Sequence, residues 1–129
     1  MAYSNFTNLR IYQLSEMLSD EIWNLVFQWS DFEKETIGKQ LIRSADSIGA
    51  NIAEGNGRGT FTDNKRFSTI ARGSLYETKH FLRRVCKRKL ISLETIQTLK
   101  IIIEELSPKL NAYINSLKKQ INNGTTIQK

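Results

Sequence analysis

The chain has 129 residues, 40% of them hydrophobic and 25% charged, with a formal net charge of +6 and one cysteine. That length suits a single domain with a true core, and apolar runs as short as Ile101–Ile103 exclude a bilayer-spanning segment. A lone Cys86 excludes an intrachain disulfide, and the N-terminal stretch has no apolar signal region, so a cytoplasmic protein with no membrane association is expected.

Four amphipathic segments follow one another, with no period-2 strand pattern. The first is expected over 8–29, where apolar residues at 11, 14, 18, 22, 25 and 29 share a face. A second set at 12, 23 and 26 widens that face, and Trp23 and Trp29 give it more apolar surface than one bundle needs. A connection is expected around 31–38, where Ser30 and Glu33 stand at capping-box spacing. The second helix is expected over 37–54, with Ile37, Leu41, Ala45, Ile48 and Ile52 as its core stripe and Gly55 as a left-handed C-terminal cap. The third is expected over 62–87, capped by Thr60 or Thr62. The fourth, 92–121, is capped by Ser92 and carries a 3-4 alternating seam at 96, 99, 103, 106, 110, 113 and 117. Pro108 inside it predicts a kink or a restart with Ser107 as cap, and 122–129 reads as a frayed tail. The fold class is therefore all-α: one domain over 1–129, an antiparallel up-down-up-down four-helix bundle.

Charge is unevenly placed. Residues 1–57 hold four bases against eight acids, whereas 58–89 hold ten bases against Asp63 and Glu77 alone. On a helical wheel, Phe67, Ile70, Ala71, Ser74, Leu75, Thr78, Phe81, Leu82 and Val85 of the third helix fall on one side. Lys65, Arg72, Lys79, Arg83 and Lys87 fall nearly opposite, flanked by Arg66 and Arg84 and extended by Arg88 and Lys89. Such a ridge can be a plain solvated face or a strip that releases counterions from a nucleic-acid backbone. Few aromatics interleave with it, so base stacking is not implied and binding would be electrostatic and weakly sequence-specific. The second helix has a polar stripe of Gln40, Arg43, Ser47, Asn51 and Glu54, which reads as a contact with a neighbouring helix or another subunit.

Other chemistry is weaker. Glu77-x-x-His80 has half of a di-iron signature, but there is one histidine and the wheel turns it from the apolar side, so no metal is expected. Gly55-Asn56-Gly57-Arg58-Gly59 follows no strand and precedes no Gly-Lys-Ser/Thr, so it reads as an interhelix turn. Cys86 has no histidine at a motif spacing and reads as packed beside Val85. No catalytic constellation and no cofactor site emerge.

The stretch Gln40, Leu41, Arg43, Ala45, Ser47, Ile48, Ala50-Asn51-Ile52-Ala53-Glu54-Gly55, Gly57 and Arg58 is followed by Phe67 and Ile70-Ala71-Arg72-Gly73-Ser74-Leu75-Tyr76-Glu77. This combination resembles the 23S ribosomal RNA intervening-sequence protein family, and the likeness extends from Phe6 to about Leu117. Ile42 stands where the family often has a second arginine, and Gly49 where it often has proline, which implies a less basic and straighter second helix. The resemblance implies an antiparallel four-helix bundle able to assemble into a barrel-like pentamer, without enzymatic activity or cofactor. It also implies a similarity in architecture to the basic accessory variability proteins of diversity-generating retroelements, which bind nucleic acid and a reverse transcriptase. The expected function is thus a non-enzymatic, homo-oligomeric protein that binds RNA or DNA through the third-helix cations. The competing expectation is a scaffold that binds an acidic partner such as a reverse transcriptase and has no direct nucleic-acid role.

Overall fold

In the computed structural model, which describes residues 5–124, every regular element among those residues is helical. Four long helices, α1 (Arg10–Phe27), α2 (Lys39–Gly57), α3 (Phe61–Lys87) and α4 (Leu93–Gly124), form a helical bundle. A 3-10 turn at Phe6–Asn8 precedes α1, and a helical turn at Asp31–Glu33 leads through a π-helical turn at Lys34–Gly38 into α2. The packed pairs are α1 with α2, α2 with α3, α3 with α4, and α4 with α1. Across the first three of these interfaces residue numbers descend as they ascend in the neighbour. Ser15 lies against Gly49 and Val26 against Gly38; Ser47 meets Ser74 and Ser44 meets Thr78; Arg72 meets Asn111 and Lys79 meets Ser107. No helix among the described residues is long and apolar enough to cross a membrane.

The core follows from the apolar spacing. Leu14, Leu18, Ile22, Leu41, Ala45, Ile48, Ile52, Leu75, Val85, Leu106 and Leu110 are fully buried. All five stripe residues of the second helix, Ile37 to Ile52, are in the core. In α4 the buried residues are Leu99, Ile102, Leu106, Leu110, Ile114 and Leu117. This set keeps 99, 106, 110 and 117 of the expected 3-4 seam, with Ile102 and Ile114 buried in place of their neighbours Ile103 and Tyr113, which like Ile96 are half-buried. Ile70, placed on the apolar side by the wheel, is 44% exposed.

Three boundaries differ from the sequence reading. Helical backbone begins at Asp31, not near residue 37, because the Ser30–Glu33 pair starts a helix. Glu33 N–H donates to Ser30 Oγ at 3.4 Å, and Ser30 N–H donates to Glu33 Oε1 at 3.1 Å. Gly55 is not a left-handed cap. It is buried within α2, where an added Cβ would stand 2.9 Å from Phe67 Cβ and 3.2 Å from the Asn64 carbonyl oxygen. Its lack of a side chain serves close helix approach, and the left-handed glycine of this turn is Gly59, at φ +87°. Third, α4 runs unbroken through Pro108, with no restart at Ser107. Pro108 and Glu104, whose carbonyl loses its partner there, are both exposed, so water can take the bond that proline cannot make. Of the tail expected to fray, Asn122–Gly124 are helical and 125–129 lie outside the described residues.

Polar ties fix the helices to one another. Arg10 donates twice to Glu105, Nε to Oε2 and Nη2 to Oε1, both at 2.8 Å, joining α1 to α4. Trp29 is half-buried and donates Nε1–H to the Leu90 carbonyl at 2.9 Å. Tyr113 Oη accepts from Asn56 Nδ2 at 3.1 Å and Asn64 Nδ2 at 2.9 Å, which pins both sides of the α2–α3 turn to α4.

Two glycines should therefore respond oppositely to alanine. Gly55→Ala forces backbone and side chain apart and should destabilise by about 1–3 kcal/mol despite the gain in helix propensity. Gly73 is exposed in mid-helix with nothing within 4 Å of an added Cβ, so Gly73→Ala should stabilise by about 1 kcal/mol, both read from urea unfolding midpoints. The paired hydrogen bonds from Arg10 also hold the Glu105 carboxylate below its ordinary range. A carboxylate depressed on folding stabilises above its unfolded pKa, and that contribution is lost as pH falls through the folded value. In an NMR titration, Arg10→Ala should move the Glu105 midpoint upward; an unmoved midpoint would refute the coupling.

Candidate nucleic-acid interface

α3 is set by well-formed ends. Thr60 Oγ1 accepts from Asp63 N–H at 3.1 Å at its start, and Asp63 lies in the first turn where the helix dipole favours an acid. At its end, Leu90 N–H donates to the Val85 carbonyl and Lys89 N–H to that of Cys86, both at 3.1 Å, a Schellman closure. Lys89 holds the left-handed position, φ 59°, which glycine takes without strain. A lysine there costs backbone energy and places a charge at the tip of the turn.

The expected ridge divides into two parts. Arg72 is half-buried and donates to Asn111 Oδ1 at 3.1 Å. Lys79, also half-buried, donates to Ser107 Oγ at 3.2 Å and lies 4.8 Å from the centre of the Tyr76 ring. Both are engaged with neighbouring side chains along α3 and α4. Arg66 pairs with Asp63 at 3.5 Å and covers the Phe67 ring at 4.5 Å. Arg58, missed by the wheel because it precedes the helix, covers the same ring at 4.8 Å and pairs with Glu54 at 3.0 Å. Lys65 is half-buried beside them.

Arg83, Arg84, Lys87, Arg88 and Lys89 differ. These five cations fall within one stretch of α3 and its closing turn, and among the described residues none has an acidic partner within 4 Å. Arg84 is half-buried and the other four are exposed. The concentration of unneutralised positive charge thus lies at one end of the bundle, beyond the stretch where α3 bonds to α4.

The second-helix polar stripe also divides. Ser47 is half-buried and accepts from Ser74 Oγ at 3.0 Å, so it belongs to the α2–α3 contact, and Asn51 donates to it at 3.0 Å from one turn on in the same helix. Gln40, Arg43 and Glu54 are exposed. Cys86 is exposed as well, not packed as expected, and lines a groove of about 310 Å³ between α3 and α4. His80 is exposed on the outer side of α3, and among the described residues no group of three His, Cys, Asp or Glu could hold a metal ion.

Residues 7–112 match the family model described as 23S rRNA-intervening sequence protein, a span that includes every cation discussed here. The chain is also similar to a protein of unknown function from the S23 ribosomal protein family of Bacteroides thetaiotaomicron VPI-5482, known from a crystal structure. The two are 25% identical with a TM-score of 0.70, over 81% of this chain and 97% of that one. No curated protein matches the chain.

Proposed function

Because the chain belongs to the 23S rRNA-intervening sequence protein family, we propose that it is a non-enzymatic cytoplasmic protein that binds the phosphate backbone of RNA or DNA as a basic homo-oligomer. The observation that carries this reading is the unpaired cluster Arg83, Arg84, Lys87, Arg88 and Lys89. Clustered, exposed cations without carboxylate partners gain most from releasing counterions on a polyanion. Lys89 in a left-handed position adds to the argument, since fold stability alone favours glycine there. The descending residue pairs at three of the interfaces support an up-down-up-down course of the helices. The exposure of Trp23 at 55%, Phe27 at 69% and Phe32 at 76% supports self-association, for which we propose a barrel-like pentamer.

The second reading is a scaffold for an acidic protein, such as a reverse transcriptase. It is favoured by Ile70 and Tyr76, 44% and 56% exposed, which flank the open Gly73 on the outer side of α3. An apolar patch beside a basic one suits a protein surface better than a nucleic acid.

Binding to a hairpin RNA and a DNA duplex across a salt series separates the two. On the first reading log K falls steeply with log salt, with a slope of roughly −3 to −4 if about four or five phosphates are neutralised. Arg83→Glu/Lys87→Glu should lower affinity at least about tenfold, whereas Arg72→Met/Lys79→Met should lose about 1–2 kcal/mol of stability and keep most affinity. Absence of binding at low salt would leave the scaffold reading. Light scattering should return a multiple of the 14.9 kDa chain mass, and a monomer would refute the assembly.

A further inference from the structure

The helical path from Asp31 to Gly57 is interrupted only by the π-helical turn Lys34–Gly38. At this turn Gly38 passes so close to the first helix and its end that an added Cβ would stand 2.7 Å from Val26 Cγ1 and 3.5 Å from the Trp29 ring. A π turn widens the helix by one residue, and such turns are frequent at functional sites. Here the widened turn forms one wall of a cleft of about 400 Å³, and the C-terminal half of α3 forms the other.

Ile37 and Phe81 are the apolar lining of the cleft. The polar lining is mostly donors: Lys39 and Gln40 from the entry of α2, His80 and Arg84 from α3, and Arg88 from the residue that caps it. These last three residues recur every fourth position and so share one side of the helix. Glu35 is the acid in the cleft, and its contact with Lys39 is long, 3.9 Å, between side chains 75% and 62% exposed, so it is readily given up. Among the described residues, the side chains of Gln40, His80, Arg84 and Arg88 make no hydrogen bond or ion pair.

We propose that this cleft is a phosphate clamp that seats one tetrahedral phosphate group, held by the guanidinium groups of Arg84 and Arg88, the Lys39 ammonium and the Gln40 amide. Guanidinium forks match the geometry of phosphate oxygens, and an Arg84 partly buried by its neighbours loses little freedom when it binds. The assignment deepens the nucleic-acid reading, and it rests on that reading for the source of the phosphate. Sequence periodicity separates these donors, because Lys39 and Gln40 lie more than forty positions before Arg84; descending contact between α2 and α3 brings them level.

The test is an NMR titration with inorganic phosphate, followed by short RNAs bearing a 5′-phosphate or a 5′-hydroxyl. Saturable shifts at the Arg84 and Arg88 Nε–H and Gln40 amide signals, with Arg83 unmoved, are expected. Arg84→Gln/Arg88→Gln should weaken phosphate binding by roughly tenfold or more, and the exposed Gln40→Leu by roughly threefold, which keeps the test informative if the arginine pair perturbs folding. Tighter binding of the 5′-phosphorylated RNA would support a clamp on terminal phosphate, and equal binding a clamp on the backbone. Uniform, unsaturable shifts along the whole basic end would overturn the proposal. So would an arginine-pair variant no weaker on phosphate than Arg83→Gln/Lys87→Gln. Retained phosphate binding without RNA binding would sink the nucleic-acid reading alone. RNA binding reduced equally by both variant pairs would sink the clamp alone.

Discussion

The close approach of α2 and α3 is the constraint on which the rest of this bundle depends. It is made by small residues at the seam: Gly55 against Phe67 and Asn64, Ser44 against Thr78, and Ser47 against Ser74. Larger side chains would hold the helices apart, and unpaired hydroxyls at this depth would lose hydration without return. Paired across the seam, they give what aliphatic packing does not, a register that tolerates no slip. Ser44 also donates to the Leu41 carbonyl at 3.1 Å while accepting from Thr78 at 2.9 Å, so its buried oxygen is satisfied twice.

That register decides which cations do structural work and which remain free. A lysine or arginine level with a polar residue of α4 is drawn into a bond, as Arg72 is with Asn111 and Lys79 with Ser107. Beyond Ser107, toward the N-terminus of α4, no side-chain bond among the described residues joins α4 to the α3 cations, and the side chains from Arg83 onward have no ion-pair partner there. Charge of one sign crowded at a helix end is tolerable because that end is the C-terminal one, where the macrodipole favours cations. Arg84 and Lys87 occupy the last turn. The same placement that stabilises the helix projects a positive field into solvent.

Much of the fold was legible in the sequence because apolar spacing and capping chemistry are local signals. The Thr60 and Ser92 caps act as their spacing implies, with Asp63 and Thr95 N–H groups bound at 3.1 Å. What was not legible depends on neighbours. A glycine that permits a turn and one that permits close packing are the same letter, and only the position of Phe67 makes Gly55 the second kind. Nor does apolar spacing announce the π turn, at which Gly38 packs against Val26 and Trp29. The wheel likewise ranked the α3 cations by angle alone. It could not foresee that Asn111 and Ser107 would engage two of them, nor that Lys39 and Gln40 would come to face Arg84 and Arg88.

The Tyr113 hydroxyl gives the molecule a mechanical polarity. One phenol oxygen takes a donor from each side of the α2–α3 turn, so at that end three helices are tied through a single atom and must move together. The opposite end has a widened π turn, a strained Lys89 and a polar groove of about 530 Å³ beside the α3–α4 connection. The polar tie at that end is the Trp29–Leu90 bond, so the two ends of the bundle are fastened by different chemistry: a phenol oxygen shared by two amides at one, a single indole N–H at the other.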